Sequence, residues 1–263
     1  MIFPVTINGT PSALMQNVVA GKKTWFVAEE IPVAFVFNQR NYSIMMATPD
    51  DLVDFGLGFS LSEEVIKHPN EVKSLEVLHS KKGIDLKFKI SMEAIEKLDI
   101  KQRKRNLVGS ASCGLCGLES SESLYRILPS VGKVKMKIDT ANAEKAISAL
   151  HENQLLNSKT HSVHAAAWVN SSGEIIITRE DVGRHNALDK LLGAMALQSI
   201  NTANGYVLMS SRCSYEIVEK SAKRGIKVIV SISGPTAFAL RKANEANITL
   251  YSLDKNRVIE IKL

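Results

Sequence analysis

Apolar and polar residues alternate over short stretches of the first half of the chain, at 25–27, 33–38, 42–46, 74–78 and 84–90, and this two-residue period predicts half-buried β-strands. One helix interrupts them. Thr48-Pro49-Asp50-Asp51 offers a capping residue, a proline and two acids for a first turn, after which Leu52, Phe55 and Phe59 recur at helical spacing. Between 99 and 116 the period is lost. Lys101, Arg103, Lys104 and Arg105 lead through Gly109-Ser110-Ala111-Ser112 into Cys113-Gly114-Leu115-Cys116-Gly117. Glycine and small polar residues give little to pack, so the stretch predicts a mobile loop.

From about Lys137 the rhythm becomes regular. Ala143, Ala146, Ile147 and Leu150 predict a helix, and strands at 163–169 and 174–178 are joined as a hairpin at Ser171-Ser172-Gly173. A helix with Leu188, Leu191, Leu192 and Met195 on one face follows, then a strand at 206–209, a helix near 217–223 and a strand at 227–231. Past Ser233-Gly234-Pro235 a further helix runs to about Ala246, and strands at 248–253 and 257–261 close the chain. The order implies an α/β protein: a three-layer αβα domain over 138–263 with a mostly parallel sheet, preceded by a smaller α+β region over 1–137 that carries the cysteine pair.

With 45% hydrophobic residues in 263, the chain has ample material for a core, which excludes disorder. Its apolar runs fall far short of the roughly 18 residues that span a bilayer. Met1-Ile2-Phe3-Pro4 lacks the basic-then-apolar order of a secretory signal, so the cytosol is the expected compartment and no membrane partner is expected. Three cysteines are too few for a disulfide framework and suit thiols that do chemistry or bind metal. A net charge of +6 favours an anionic partner. Aromatics at 6% offer no stacking platform for single-stranded nucleic acid, which leaves a phosphate-bearing small molecule or an acidic protein rather than nucleic acid.

In an open α/β sheet, ligands collect beyond the carboxyl ends of the strands, where helix N-termini present N–H groups. The polar residues expected at that edge are Arg179, Glu180, Asp181, Gly183, Arg184, His185 and Asn186 after one strand, Ser210, Ser211 and Arg212 after the next, and Ser231, Ser233, Gly234, Pro235 and Thr236 after the third. Arginines, small donors and helix N-termini together suit a phosphorylated ligand. Several of these residues equally suit structural duties: Asp181 and Ser214 as helix caps, Pro235 at a first helical position, Gly183 in a turn.

Three chemistries use the Cys113/Cys116 spacing. Tetrahedral zinc needs four ligands, and this motif supplies two, with His161, His164 and His185 in no familiar finger spacing. Disulfide exchange wants the motif early in a βαβ unit, whereas here it follows a basic loop. Sulfur carriage, in which a thiolate takes the outer sulfur of a donor persulfide and passes it on, suits an accessible glycine-bearing loop, and the preceding Lys and Arg residues favour the thiolate. Cys213, alone between Arg212 and Ser214, reads as a small packing residue. The C-terminal order α-β-β-α-β-α-β is that of zinc nucleobase deaminases, but their His-x-Glu followed by a downstream Cys-x-x-Cys is missing: Ala165 and Ala166 follow His164, and both paired cysteines lie upstream.

Several segments resemble, in order, the formate dehydrogenase accessory sulfurtransferases, the FdhD/NarQ family. They are Glu30-Ile31-Pro32, Met46-Ala47-Thr48-Pro49 with Gly58-Phe59 and Ser62-Glu63, and Ser112-Cys113-Gly114-Leu115-Cys116-Gly117. Later come His164-Ala165-Ala166, the run from Glu180 to Lys190, Ser211-Arg212 with Glu216, and Pro235-Thr236. The resemblance implies a deaminase-like fold without zinc, commonly a homodimer. It implies a sulfurtransferase that accepts persulfide sulfur from a cysteine desulfurase and delivers it to the bis-molybdopterin guanine dinucleotide form of the molybdenum cofactor before insertion into formate dehydrogenase. By motif, Cys113 resembles the persulfide-bearing residue and Cys116 its partner. The cofactor's guanine nucleotide, which GDP would mimic, is expected at the sheet edge on Arg179, Asp181, Gly183, Arg184, His185, Asn186, Ser211, Arg212, Ser233, Pro235 and Thr236. A non-catalytic chaperone that presents the finished cofactor is the alternative. The family usually has Thr-Gly-Gly where this chain has Thr160-His161-Ser162, and Gly-Phe with an Arg where it has Ser252-Leu253 and Lys255. Leu253 and Lys255 are thus the expected but altered end of the nucleotide site, since Lys offers a point charge where Arg offers a fork.

Overall fold

The computed structural model describes residues 2–96, 126–132 and 136–263. Cys113, Cys116 and the basic run before them lie outside these residues, as does the expected mobile loop.

The first unit is a five-stranded sheet ordered β1-β6-β7-β4-β5, built from β1 (Val5–Asn8), β4 (Ile31–Phe37), β5 (Arg40–Ala47), β6 (Val72–Ser80) and β7 (Gly83–Ile90). Its core is aromatic. Phe35 stacks on Phe59 with ring centroids 3.9 Å apart, and Phe37 stacks on Phe88 at 5.2 Å. Two strands, β2 (Met15–Ala20) and β3 (Lys23–Ala28), form a separate hairpin with Trp25 edge-on to the His161 ring.

Helix α1 (Leu52–Ser62) starts later than Thr48 suggested. The Thr48 backbone N–H donates to the Asp181 carboxylate and its carbonyl accepts from Lys190 and from the Asp50 N–H, so Thr48 is committed to these partners and the chain bends at Pro49 and Asp50 before the helix begins. Asp51 becomes the N-cap residue in the left-handed region, at φ 51° and with no side-chain cap.

The second unit contains α2 (Thr140–Leu150), α3 (Asn157–Thr160), β8 (His164–Asn170), β9 (Ile175–Asp181), α4 (Arg184–Leu197), β10 (Gly205–Arg212), α5 (Tyr215–Lys223), β11 (Val228–Ser233), α6 (Ala237–Glu245), β12 (Thr249–Asp254) and β13 (Arg257–Ile261). Its six strands are ordered β13-β12-β11-β10-β8-β9. Alternate residues face opposite sides. Ala166, Trp168, Val207, Met209, Ile229 and Leu250 pack with α4, α5 and α6, while Ala165, Ala167, Val169, Leu208, Val228 and Val230 pack with Ala143, Ala146 and Leu150 of α2. These are the three expected layers. The sheet is not mostly parallel, however. Only β10–β11 and β11–β12 are parallel, while β8–β9, β8–β10 and β12–β13 are antiparallel. The physical reason is connection length: helices separate β10, β11 and β12, whereas tight turns join β8 to β9 and β12 to β13.

The two units meet where α1 crosses α4. A Cβ at Gly58 would lie 1.7 Å from the Asp189 carbonyl oxygen, and one at Gly193 would lie 1.9 Å from that of Asp54. Only hydrogen at both Cα positions permits this approach. Leu128 and Val131 pack into the α4–α6 core, and the Val131 N–H donates to the Ala246 carbonyl at 3.0 Å.

Candidate functional site

β8 runs antiparallel to both β9 and β10, so β9, β10, β11 and β12 all point their carboxyl ends to one edge. The site residues expected after those strands therefore meet there, together with His164 at the start of β8.

The run from Arg179 to Lys190 divides into two groups. One faces inward. The Arg179 guanidinium donates to Asp54 at 2.7 and 2.8 Å and to the Thr178 carbonyl at 2.8 Å, with Asp51 at 3.4 Å. Asp181 and Lys190 form a fully buried ion pair at 2.8 Å. Asp181 also accepts from the backbone N–H groups of Thr48 and Gly183 and from Asn186 Nδ2, whose other proton goes to the Met46 carbonyl. Every acceptor is matched, which is what allows charges to persist without water. Glu180 accepts from the Leu156 and Asn157 N–H groups at 2.8 Å each; burial raises its carboxyl against the lowering effect of those bonds. Asp181 is thus not a helix cap. Gly183 takes the N-cap position of α4.

The other group faces the edge. Arg184 and His185 occupy the first turn of α4, whose N-terminus has no side-chain cap. His185 Nε2 lies 3.1 Å from Ser214 Oγ and 3.3 Å from Glu216 Oε2, and the Ser214 hydroxyl donates to Glu216 Oε2 at 2.8 Å. Ser214 sits at the N-cap of α5 as expected, but its side chain bonds these partners instead of capping. Burial alone would raise the Glu216 carboxyl. The bonds and charge of His185, with the Ser214 hydroxyl, overcome this and hold it at about 2. His164 is lowered by burial and then by the nearby positive charges of Arg184 and His185. Arg212 is exposed, and buried Ser211 donates to the Arg212 carbonyl.

On the third strand, Thr236 caps α6 by accepting from the Ala239 N–H, and Pro235 precedes that cap instead of opening the helix. Ser233 is exposed at the edge, as is Lys255, which turns β12 into β13 at φ 55°; Leu253 is half-buried one strand end away. His161 adopts φ 53°, a conformation that glycine takes without strain, and closes α3 through its N–H on the Asn157 carbonyl. Cys213 is fully buried, and burial pushes its thiol up to about 12.

The inward roles of Lys190 and Thr48 and the pairing of Glu216 with His185 were not read from sequence. Lys190 had a signal: it lies among Leu188, Leu191 and Leu192 and one helical turn from Asn186, and a lysine within an apolar face implies a buried acid.

The FdhD/NarQ family model matches residues 28–261, the span from β4 to β13. The chain belongs to the FdhD/NarQ family. A sulfur carrier protein from Xanthomonas oryzae pv. oryzae (strain MAFF 311018) is 41% identical over 248 residues, covering 94% of this chain and 84% of that one. Another from Agrobacterium fabrum is 40% identical over 235 residues, covering 89% and 86%. A crystal structure from Desulfotalea psychrophila, of a protein described as a candidate formate dehydrogenase accessory protein, superimposes with a TM-score of 0.66 over 95% of both chains; at 24% identity it speaks for the shared α/β fold. Among the described residues, no helix of this FdhD/NarQ member is long and apolar enough to cross a membrane, and no group of three His, Cys, Asp or Glu is placed to hold a metal ion.

Proposed function

We propose that this protein carries sulfur as a cysteine persulfide and delivers it to the molybdenum cofactor used by formate dehydrogenase. The Cys113 thiolate attacks the outer sulfur of a cysteine desulfurase persulfide. The bond to the donor cysteine breaks, that cysteine leaves as thiolate, and Cys113 holds R–S–SH while Cys116 assists release. The sheet edge holds the bis-molybdopterin guanine dinucleotide as substrate. The observation that carries this reading is that the span matching the family, residues 28–261, contains both the cysteine pair and an edge suited to phosphates. Arg184 and Arg212 there supply charged donors, and the starts of α4 and α5 lack side-chain caps, leaving N–H groups for an anion. Leu253 and Lys255 lie at the same edge, toward the β12 end.

The test is intact mass spectrometry after incubation with a cysteine desulfurase and cysteine. An adduct of about 32 Da that a thiol reductant removes is expected. It should disappear in the doubly substituted Cys113→Ala/Cys116→Ala protein. An adduct that never forms, or that survives in that variant, overturns the carrier role and favours a chaperone that binds the finished cofactor.

A further inference from the structure

Helix α4 starts at the carboxyl edge and ends at Leu197, roughly 20 Å of helix away. At that far end a cavity of about 80 Å³ lies between the last turns of α4, the turn that follows them and the junction of α5 with β11. Leu192, Met195, Ala196, Ile200 and Ile226 form its apolar wall, and Ser199, Thr202 and Arg224 supply its polar lining. Among the described residues, no Asp or Glu lines it. Thr202 comes near the α5–β11 turn: a Cβ built at Gly225 would meet only the Thr202 hydroxyl oxygen, 3.8 Å away.

An arginine at a helix end ordinarily binds the last carbonyls or an acid. Here the carbonyls are already occupied. Those of Ala194, Met195 and Ala196 accept from the N–H groups of Gln198, Ile200 and Ser199, and those of Ser221 and Ala222 accept from Arg224, Gly225 and Ile226. The nearby acids go elsewhere, since Lys223 takes Glu219 at 3.0 Å and stands 4.0 Å from Glu64. Among the described residues, the Arg224 guanidinium and the Ser199 and Thr202 hydroxyls have no hydrogen-bond or ion-pair partner. Burial lowers the Arg224 guanidinium with no acid to counter it, yet an arginine stays charged at neutral pH. The ends of two helices favour a cation at this place, which accounts for Arg224 being tolerated but supplies no acceptor for its donors.

We propose that this cavity binds a small monocarboxylate with a short alkyl tail, its oxygens on Arg224, Ser199 and Thr202 and its tail against Leu192, Met195 and Ile226. A guanidinium fork matches the two oxygens of a carboxylate, and one positive charge balances one negative. The apolar wall selects against inorganic phosphate, which carries more charge and has no tail to bury. The volume admits a few heavy atoms and excludes a nucleotide. The site is independent of the sulfur-carrier reading.

The test is NMR of protein labelled with [methyl-13C]methionine, because the Met195 side chain lines the cavity and reports on it directly. Its resonance is assigned by its loss in Met195→Leu. Titration with sodium butyrate should move it along a saturating curve, with a dissociation constant on the order of 1 mM. Acetate, lacking the tail, should bind roughly tenfold more weakly. Butylamine, with the tail and the opposite charge, should leave the resonance in place. Arg224→Gln should weaken butyrate at least about tenfold and Thr202→Val about threefold, with the other methionine resonances unmoved as evidence of an intact fold. If Arg224→Gln disturbs the whole methionine spectrum, Thr202→Val decides. A butyrate shift that does not saturate, an equal response to butylamine or inorganic phosphate, or unchanged affinity in a folded Arg224→Gln or in Thr202→Val overturns the proposal.

Discussion

The crossing of α1 over α4 and the carboxyl edge of the second sheet draw on the same kinds of residue to opposite ends. At the crossing, Asp189 and Lys220 pair at 2.9 Å, Ser62 donates to Asp189 at 2.6 Å, and Glu63 lies 3.2 Å from Lys220. These charges are removed from water and find their partners within the protein. At the edge, Arg184, His185 and Arg212 retain access to solvent, and two helices start without side-chain caps. Polarity alone therefore does not mark a binding site. A polar residue whose bonds all close inside the fold orders the structure, whereas one left with donors at an open helix start is available to a ligand.

The largest way to break the comparison is to force the crossing apart. Gly193→Ala places a methyl group against the Asp54 backbone, which cannot rotate aside as a side chain can. A loss upward of about 4 kcal/mol in unfolding free energy is expected by denaturant titration. Gly234→Ala, with nothing within 4 Å, serves as the control and should be near neutral. A Gly193→Ala protein as stable as the parent would mean that the helices need not approach this closely.

Next in size is the buried pair. Burial alone would drive the Lys220 ammonium neutral, but Asp189 and Glu63 outweigh it and raise the group, so it stays charged. Lys220→Met should then cost about 3 kcal/mol by stranding the Asp189 charge, and adding Asp189→Leu should recover most of that loss. Additive losses in the double variant would show that the two side chains act separately.

This division also explains what the sequence could disclose. Helices α2 and α5 and strands β7 and β13 carry their period openly, because one face of each meets a core, whereas α4 is buried all round from Asn186 to Met195 and shows its sheet-facing side through Leu188, Leu191, Leu192 and Met195. The β2–β3 hairpin has exposed residues on both faces, Val18 on one and Val19 on the other, so β2 left no burial pattern to read. The edge itself was legible, since strand ends and helix starts follow from element order. Which arginine reaches it was not. Arg179 and Arg184 look alike in the chain, and only the placement of Asp51 and Asp54 on the far side of the crossing turns Arg179 inward.

The smallest effect sharpens the same contrast within a single residue type. Cys213 follows Arg212 directly at the edge, yet its side chain lies in the α4–α6 core, where burial lifts the thiol to about 12 and leaves almost no thiolate at neutral pH. In a Cys113→Ser/Cys116→Ser background, folded protein should therefore resist an aromatic disulfide reagent and react fully once unfolded in guanidinium. Cys213→Ala should cost about 1 kcal/mol, the loss of a small packing group, and leave the proposed nucleotide binding unchanged. Rapid labelling of the folded protein would place a reactive thiol beside Arg212 and Ser214, and Cys213 could then no longer be counted as a packing residue.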